Sequence, residues 1–286
     1  MKRLSDGARD VRATRPLIHC IANYVTADDC ASVLSAIGAS PMMADAEEEV
    51  EEIVARSSGL NLNLGTLNDA TIRSMFLAGK KANELGIPVT LDPVGVGVSN
   101  LRTKTTRRLL EEVRFAAIRG NASEINVLAQ GVGEPRGVDV REDDAVNGAN
   151  WLEYGKKLRP FARKLNAVVV ASGEVDVLTD GVQIAGVFNG SPQASRIVGA
   201  GCMLTSVLCA WLAARRRKRG SDDLTLLETA VSATAFFGIC GEIAAQKTKE
   251  RGGGTATFRN ELIDAASTLE TTQIDECARV EFTQFA

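Results

Sequence analysis

The residues from Gly199 to Cys202 place a glycine-rich turn and a thiol at the start of a predicted helix. Gly199 and Gly201 flank an alanine, and an apolar segment that predicts a helix continues to about Ala214. Glycine lets the backbone approach a ligand closely, and the free amides at a helix N-terminus bind anions. On the first helical turn, the dipole would stabilise the thiolate of Cys202. The segment predicts a phosphate site beside a reactive side chain, with a purely structural turn as the alternative.

Other polar residues follow predicted strands, which is where parallel sheets bind their ligands. The clusters are Asp92 after 89–91, then Arg119, Asn121 and Glu124 after 116–118, then Ser172 and Glu174 after 168–170, and the glycine turn after a strand predicted at 195–198. Phosphoryl transfer needs a phosphate cradle, cationic charge or a metal, and a positioned hydroxyl. The clusters supply each of these at one edge of the sheet.

The individual side chains suit particular tasks in that reaction. Asp92 and Glu124 are hard oxygen ligands suited to Mg²⁺, directly or through water. Arg119 can neutralise a nucleotide phosphate with its forked donors, while Asn121 and Ser172 can provide neutral hydrogen bonds, so we expect all three to bind ATP.

Each of these assignments has a structural alternative. Asp92 with the following proline is an ordinary turn opener. The segment 121–124 is also a plain N-terminal cap for the next helix, and Arg119 could pair with a surface carboxylate.

Helical and strand patterns alternate along the chain, which predicts an α/β fold with a mostly parallel central sheet and helices on both faces. Strands are predicted at 59–65, 87–91, 116–118, 167–171 and 175–179, and helices at 27–38, from Asn68 or Asp69 to about Gly86, and at 104–114, 149–165, 202–214, 222–246 and 258–268. No linker composition divides residues 1–286, so we expect a single domain. The segment 131–147 predicts a loop, either a mobile flap or a passive insertion, and the basic cluster 215–219 predicts a solvated helix end.

Composition narrows the function classes. The net charge of −3 argues against nucleic-acid or anionic-lipid partners. We find no apolar run near the roughly 18 residues of a membrane span and no signal-peptide core in residues 1–15. Six cysteines without zinc or CxxC spacing favour reduced thiols and a cytoplasmic location. The absence of a P-loop motif, and of a GxGxxG motif followed by an acidic residue, argues against P-loop and dinucleotide enzymes.

Seven motifs in one order carry a resemblance to a known family. They are residues 19–26 (HCIANYVT), 38–43 (GASPMM), 63–66 (NLGT), 91–95 (LDPVG), 118–124 (IRGNASE), 172–176 (SGEVD) and 199–202 (GAGC). Over roughly residues 15–270 the chain closely resembles the hydroxyethylthiazole kinases of thiamine salvage.

The resemblance implies a ribokinase-like fold and ATP-dependent, Mg²⁺-requiring phosphorylation of the hydroxyl of 4-methyl-5-(2-hydroxyethyl)thiazole. It also implies a homotrimer with each thiazole site at a subunit boundary. By motif position, Met43, Gly199, Asn23 and Val25 would bind the thiazole, Arg119 and Ser172 would bind ATP, and Asp92 and Glu124 would serve the magnesium-phosphate region. The soft, polarisable Met43 independently suits a sulfur heterocycle.

Cys202 occupies the position where related sugar kinases usually place a catalytic aspartate, so base catalysis by its thiol is a hypothesis. A loose phosphoryl-transfer transition state needs little base assistance. The chain departs from the family at Val198 and Ala22, where threonine is usual, and at Ser172, which keeps a hydroxyl. It also departs in the residues 26–28. Val198 bears most on phosphate or metal affinity.

Three other functions compete with this assignment. The first is a ribokinase-like kinase for a pyrimidine or pyridine alcohol, and the second is a catalytically weak nucleotide-binding protein on the same fold. The third is a thiol hydrolase, which requires Cys202 and His19, the only histidine, to meet.

Overall fold

A nine-stranded sheet organises the chain in the computed structural model, which describes residues 3–130, 146–216 and 224–284. Its strands are β1 (Leu17–Ile21), β2 (Ser40–Met43), β3 (Gly59–Asn63), β4 (Val89–Asp92), β5 (Ala117–Asn121), β6 (Val168–Ser172), β7 (Asp176–Thr179), β8 (Gln183–Val187) and β9 (Val280–Gln284). They lie in the order β2-β1-β3-β4-β5-β6-β7-β8-β9. The pairings from β2 to β6 are parallel, and those from β6 to β9 are antiparallel. The predicted mostly parallel sheet is confirmed.

Helices cover both faces of this sheet, as predicted. They are α1 (Ser5–Thr14), α2 (Ala27–Ala36), α3 (Val50–Arg56), α4 (Asp69–Glu84), α5 (Asn100–Glu112), α6 (Ala122–Ala129), α7 (Trp151–Leu165), α8 (Ala200–Arg216), α9 (Leu226–Glu250), α10 (Thr255–Thr268) and α11 (Thr271–Cys277). One core cluster joins the sheet to α1, α2 and α8–α11, and a second joins it to α3–α7. Because helices cover both faces, a ligand is expected at the carboxyl ends of the parallel strands.

Local sequence signals explain several element boundaries. The Asn68 side chain accepts a hydrogen bond from the Thr71 amide in a capping box, which starts α4 where the sequence predicts it. The chain leaves α2 through Gly38, whose φ of +90° suits glycine. In β6, the run Val168–Val170 is fully buried, as expected for a strand covered on both faces.

The strand predicted at 195–198 is wrong. This region contains a 3₁₀ helix, Pro192–Arg196, because Pro192 has no amide to donate and the Ser191 side chain accepts from the Gln193 amide. The glycine turn therefore follows a long connection that starts at the end of β8. The chain enters β8 itself through a turn at Asp180 and Gly181, as the sequence predicts. The sequence pattern predicts none of the strands β1, β2, β8 and β9.

One helix contradicts the expectation that no apolar segment reaches membrane-span length. Within α9, an 18-residue window has a mean hydropathy of 1.4, which is long and apolar enough to cross a membrane. In this fold, 72% of that window is buried, because the helix packs against α8 and α10. The composition is thus that of a central core helix.

Two of the predicted segments lie partly outside the described residues. Of the loop predicted at 131–147, residues 131–145 are outside them, as are residues 217–219 of the basic cluster. The two described arginines of that cluster, Arg215 and Arg216, lie in the last turn of α8 as predicted, and each donates to a backbone carbonyl.

Candidate active site

The carboxyl ends of the parallel strands bring the polar clusters together. Asn63 at the end of β3 is in register with Asp92 at the end of β4, and Asn121 of β5 is in register with Ser172 of β6. Helix α8 begins at the same edge, because Thr205 on its second turn hydrogen-bonds Asp92. The predicted convergence of these clusters on one edge is confirmed, although the glycine turn arrives there by a different route.

The glycine turn packs against the start of α2. Gly199 has a φ of +93°, a left-handed conformation that favours glycine. A Cβ at Gly199 would lie 3.0 Å from Cγ2 of Thr26 and 3.1 Å from Oδ2 of Asp29. The hydroxyl of Thr26 is buried beside this turn and interacts with the thiol of Cys202. The close packing of Gly199 on Thr26 and Asp29 therefore fixes the glycine turn against α2.

Cys202 lies on the first turn of α8, as predicted, but its environment does not favour a thiolate. The side-chain amide of Asn63 donates to Sγ of Cys202 at 3.1 Å, and that of Asn23 donates to the same sulfur at 3.6 Å. Burial raises the pKa of the Cys202 thiol, and the nearby charge of Asp92 raises it further. Desolvation and a neighbouring carboxylate therefore oppose the predicted stabilisation of the thiolate by the helix dipole.

Asp92 is almost fully buried between α8 and β5. Its Oδ2 accepts a hydrogen bond of 2.8 Å from the Thr205 hydroxyl and lies 4.0 Å from Nη1 of Arg119. Burial raises the pKa of Asp92 to about 6, and the charge of Glu124 adds to this while Arg119 opposes it. Its Oδ1 is buried and has no hydrogen-bond partner among the described residues. A buried carboxylate with one oxygen left without a hydrogen-bond partner is a candidate cation ligand.

Arg119 is an inward-facing cation and not half of a surface ion pair, which was the structural alternative for this residue. Its side chain is 12% exposed, and Nε donates to the Ser172 hydroxyl at 3.0 Å. The carboxyl of Asp176 also interacts with Arg119. Burial raises the pKa of Asp176 to about 6, and the charge of Arg119 opposes that rise. Asp176 also accepts from the Gly173 amide at 3.1 Å, which orders the turn after β6. Arg119 is thus fixed between two strand ends with its charge only partly neutralised.

Asn121 and Glu124 form a capping box at the start of α6, which confirms their predicted structural alternative. Asn121 Oδ1 accepts from the Glu124 amide at 2.8 Å, and Glu124 Oε2 accepts from the Asn121 amide at 2.9 Å. Glu124 Oε1 also accepts from the Gly95 amide at 2.8 Å. The cap does not exclude a functional role for Glu124, because each carboxylate oxygen has a second lone pair.

This donor set fits Mg²⁺ bound together with substrate phosphates. The described residues contain no group of three or more His, Cys, Asp or Glu side chains that could enclose a metal. Asp92 and Glu124 are close enough that the charge of Glu124 raises the pKa of Asp92. Mg²⁺ usually binds through one or two carboxylates, with phosphates and waters completing its shell.

The residues expected to line a thiazole pocket differ in exposure. Asn23 is buried, and its Oδ1 accepts from the amides of Val25 and Thr26. Met43 and Val25 have 37% and 58% of their surfaces exposed. Asn23 therefore shapes the loop, while the two apolar side chains remain available to a ligand or a partner subunit.

The geometry does not support the thiol hydrolase. His19 belongs to β1, and its Nε2 is 2.8 Å from the carbonyl oxygen of Ala44. The next residue, Cys20, packs in the core cluster that contains α8. Successive strand residues point to opposite faces, so His19 faces away from the helix that carries Cys202.

Sequence reasoning missed several residues of this site. Asn63 is part of one of the sequence motifs and Thr205 follows the glycine turn, but neither is predicted to be a site residue, although both contact predicted site residues. A signal for the first existed: Asn61 and Asn63 alternate with leucines in an otherwise apolar strand, so both face α8. Asn61 indeed donates to the Ser206 hydroxyl at 3.0 Å. Thr205 lies three residues after Cys202, on the same helical face.

Comparison with known proteins agrees with this architecture. The profile described as "Hydroxyethylthiazole kinase family" matches residues 8–272. The hydroxyethylthiazole kinase of Clostridium acetobutylicum is 44% identical over 278 residues, covering 97% of this chain and 99% of that protein. The structure of the hydroxyethylthiazole kinase from Pyrococcus horikoshii OT3 superposes with a TM-score of 0.83 at 31% identity, covering 98% of this chain and 99% of that one.

A more distant structure bears on the fold alone. The pyridoxal kinase of Staphylococcus aureus, solved in complex with ADP, superposes with a TM-score of 0.58 at 14% identity and covers 94% of this chain and 98% of that one. With the closer match, it confirms the predicted ribokinase-like α/β fold. The match to the family profile and the identity to a relative over almost its full length show that the chain belongs to the hydroxyethylthiazole kinase family.

Proposed function

We propose that this chain phosphorylates the hydroxyl of 4-methyl-5-(2-hydroxyethyl)thiazole with ATP, in thiamine salvage. The observation that carries the proposal is the 44% identity with a hydroxyethylthiazole kinase across almost the whole of both chains. In the reaction, the hydroxyl oxygen attacks the γ-phosphorus, the bond from that phosphorus to the bridging oxygen breaks, ADP leaves, and the hydroxyl proton is released. We also propose that the chain is a single domain, which its one nine-stranded sheet supports.

We propose the following roles for the site residues, which the resemblance implies and their positions support. Arg119 and Ser172 would bind the ATP phosphates, with Asn121 holding the start of α6. The amides at the start of α8 would face the transferred phosphoryl group. Asp92 and Glu124 would hold Mg²⁺, which, when bound, neutralises phosphate charge.

A coupled assay of ADP release with and without the thiazole alcohol tests the proposed function. We expect release to depend on the thiazole and to require Mg²⁺, with one thiazole phosphate formed per ADP. A hydroxymethylpyrimidine and pyridoxal serve as matched acceptors. Faster release with either of them would favour a pyrimidine or pyridine alcohol kinase. Folded protein with no acceptor-stimulated release would favour the weak nucleotide-binding alternative.

We expect Cys202→Ala to lower kcat by less than about tenfold, or about 1.4 kcal/mol. The protonated thiol is a poor base, and orientation with charge neutralisation carries most of this reaction. The KM for the alcohol should rise, because the Asn63 amide loses its acceptor. Cys202→Ser, which keeps an acceptor, should restore the KM. If Cys202→Ala instead slowed turnover by about two orders of magnitude or more and removed the limb of the pH profile along which activity rises with pH, Cys202 would be identified as the base.

We further propose a homotrimer in which a neighbouring subunit completes the thiazole site. Exposed apolar residues near the site edge support this: Tyr24, Val25, Met43 and Val198. Light scattering should give three times the 30.4 kDa mass of the chain, and a monomer mass would refute the proposal. A cytoplasmic location accords with six unpaired cysteines.

A further inference from the structure

Arg102, on the first turn of α5, connects two loops that leave the sheet at the active edge. Its Nη1 donates to the carbonyl of Val94 at 2.6 Å and also to the carbonyl of Leu64, and its Nη2 donates to the carbonyl of Gly65. Its Cδ would lie 3.3 Å from a Cβ at Gly95. Within the described part of the chain, no carboxylate forms an ion pair with it. The guanidinium therefore binds the backbone of two loops, one between β3 and α4 and the other between β4 and α5.

The first of these loops belongs to the side of the site that contains the thiol. The backbone amide of Gly65 donates to Asn63 Oδ1 at 2.9 Å, and the same oxygen accepts from the side-chain amide of Asn23 at 2.8 Å. Asn63 in turn donates to Cys202. Any displacement of Leu64 and Gly65 is thus transmitted directly to the residues around the thiol.

The second loop belongs to the carboxylate side. It begins directly after Asp92, and its Gly95 amide donates to Glu124 Oε1 at 2.8 Å. Among the described residues, the last sheet-like hydrogen bond before the two loops runs from the Leu64 amide to the carbonyl of Asp92, the final residue of β4, at 3.0 Å. Beyond it, the strands diverge, and Arg102 spans the gap.

We propose that Arg102 is a positioning residue that sets the spacing between two sides of the active site. One is the side that contains the thiol, where the alcohol would bind, and the other is the carboxylate side, where metal and phosphate would bind. This inference rests on the proposed function. Phosphoryl transfer depends on alignment of the attacking oxygen with the phosphorus, so a loss of alignment lowers kcat more than it lowers binding.

The kinetic test compares Arg102→Ala and Arg102→Lys with Arg107→Ala, an exposed arginine on the same helix. We expect Arg102→Ala to lower kcat at least tenfold, with the KM for ATP changed by less than threefold. It should also yield less than one thiazole phosphate per ADP, because water can replace a misaligned alcohol. Arg102→Lys should recover part of kcat, since an ammonium group reaches some of the carbonyls, and Arg107→Ala should match wild type. A loss explained wholly by a smaller folded fraction, with the coupling ratio unchanged, would overturn the proposal.

Amide hydrogen exchange on the protein without substrates gives a readout that does not depend on the reaction. Exchange at residues 64–66 and 95–97 should accelerate in Arg102→Ala and not in Arg107→Ala. Unchanged exchange in both loops would refute the inference. If wild type showed no thiazole-dependent activity, the proposed function would fail, and exchange would still decide whether Arg102 holds the loops together.

Discussion

Replacing Gly201 with alanine is expected to reduce kcat/KM for ATP by about 10- to 100-fold. A Cβ on Gly201 would overlap Nη1 of Arg119 and lie 2.9 Å from its Cζ. The guanidinium would have to leave the position in which it bonds Ser172 and faces Asp92. Hydrogen bonds that involve charged groups contribute about 1.5–3 kcal/mol, which corresponds to the expected loss in rate.

The same substitution should leave the fold intact, because only the end of a flexible side chain is displaced. Gly201 lies within α8, where alanine is more favourable than glycine by up to about 1 kcal/mol. Steady-state kinetics and thermal unfolding together separate the two effects. Gly241→Ala in α9 is the matched control, since its new Cβ would have its nearest contact at 3.8 Å, with the backbone nitrogen of Ser191. If kcat/KM for ATP were unchanged in Gly201→Ala, the use of ATP would not depend on the position that the Arg119 guanidinium occupies in the wild-type protein.

The predicted and observed sites differ in ways that have physical causes. Alternating strand and helix patterns predict which residues follow each parallel strand, and this suffices to bring Asp92, Arg119 and Ser172 to one edge. Those positions depend on sheet topology alone. The sequence also predicts Cys202 on the first turn of a helix, where its environment would be set by the dipole if nothing else were near.

What could not be predicted depends on packing between elements far apart in the chain. The thiol of Cys202 meets Asn23 and Asn63, which are 179 and 139 residues away. Burial raises the pKa of this thiol, and a short stretch of sequence around Cys202 does not reveal that burial. The contact between Gly201 and Arg119 arises for the same reason, because a missing Cβ is visible in the sequence but the group that fills its space is not.

Replacing Asp92 with asparagine is expected to lower kcat by at least about 100-fold. Asp92 offers a buried oxygen without a partner in the described chain, and its charge faces Arg119. Substitutions of residues that only support a metal ligand cost about 10- to 100-fold, so loss of a ligand itself should lie at or beyond that range. An asparagine keeps the shape and can still accept from the Thr205 hydroxyl, which separates the loss of charge from a loss of packing.

The same variant should be more stable than wild type at pH 7.5 in the absence of ligands. The folded protein holds the pKa of Asp92 at about 6, above its ordinary value of 3.8. Between these pH values the folded state keeps a proton that the unfolded state has lost, so the free energy of unfolding falls as pH rises. Above pH 6 the full cost of the buried charge is present, on the order of 2–3 kcal/mol at about 1.4 kcal/mol per pH unit. Asparagine carries no such cost.

Urea unfolding of both proteins at pH 7.5 and 4.5, at a fixed protein concentration, measures this gain. The stability difference should be largest at pH 7.5 and should shrink toward pH 4.5, where wild-type Asp92 is protonated in the fold. Asp264→Asn, an exposed carboxylate on α10, should show neither the gain nor the loss of activity. If Asp92→Asn were less stable than wild type at pH 7.5, attraction to Arg119 would outweigh desolvation, and Asp92 would have to be regarded as a structural ion-pair partner. A simultaneous gain in stability and loss of kcat would instead mean that the fold tolerates an unfavourable charge at the position where the reaction requires one.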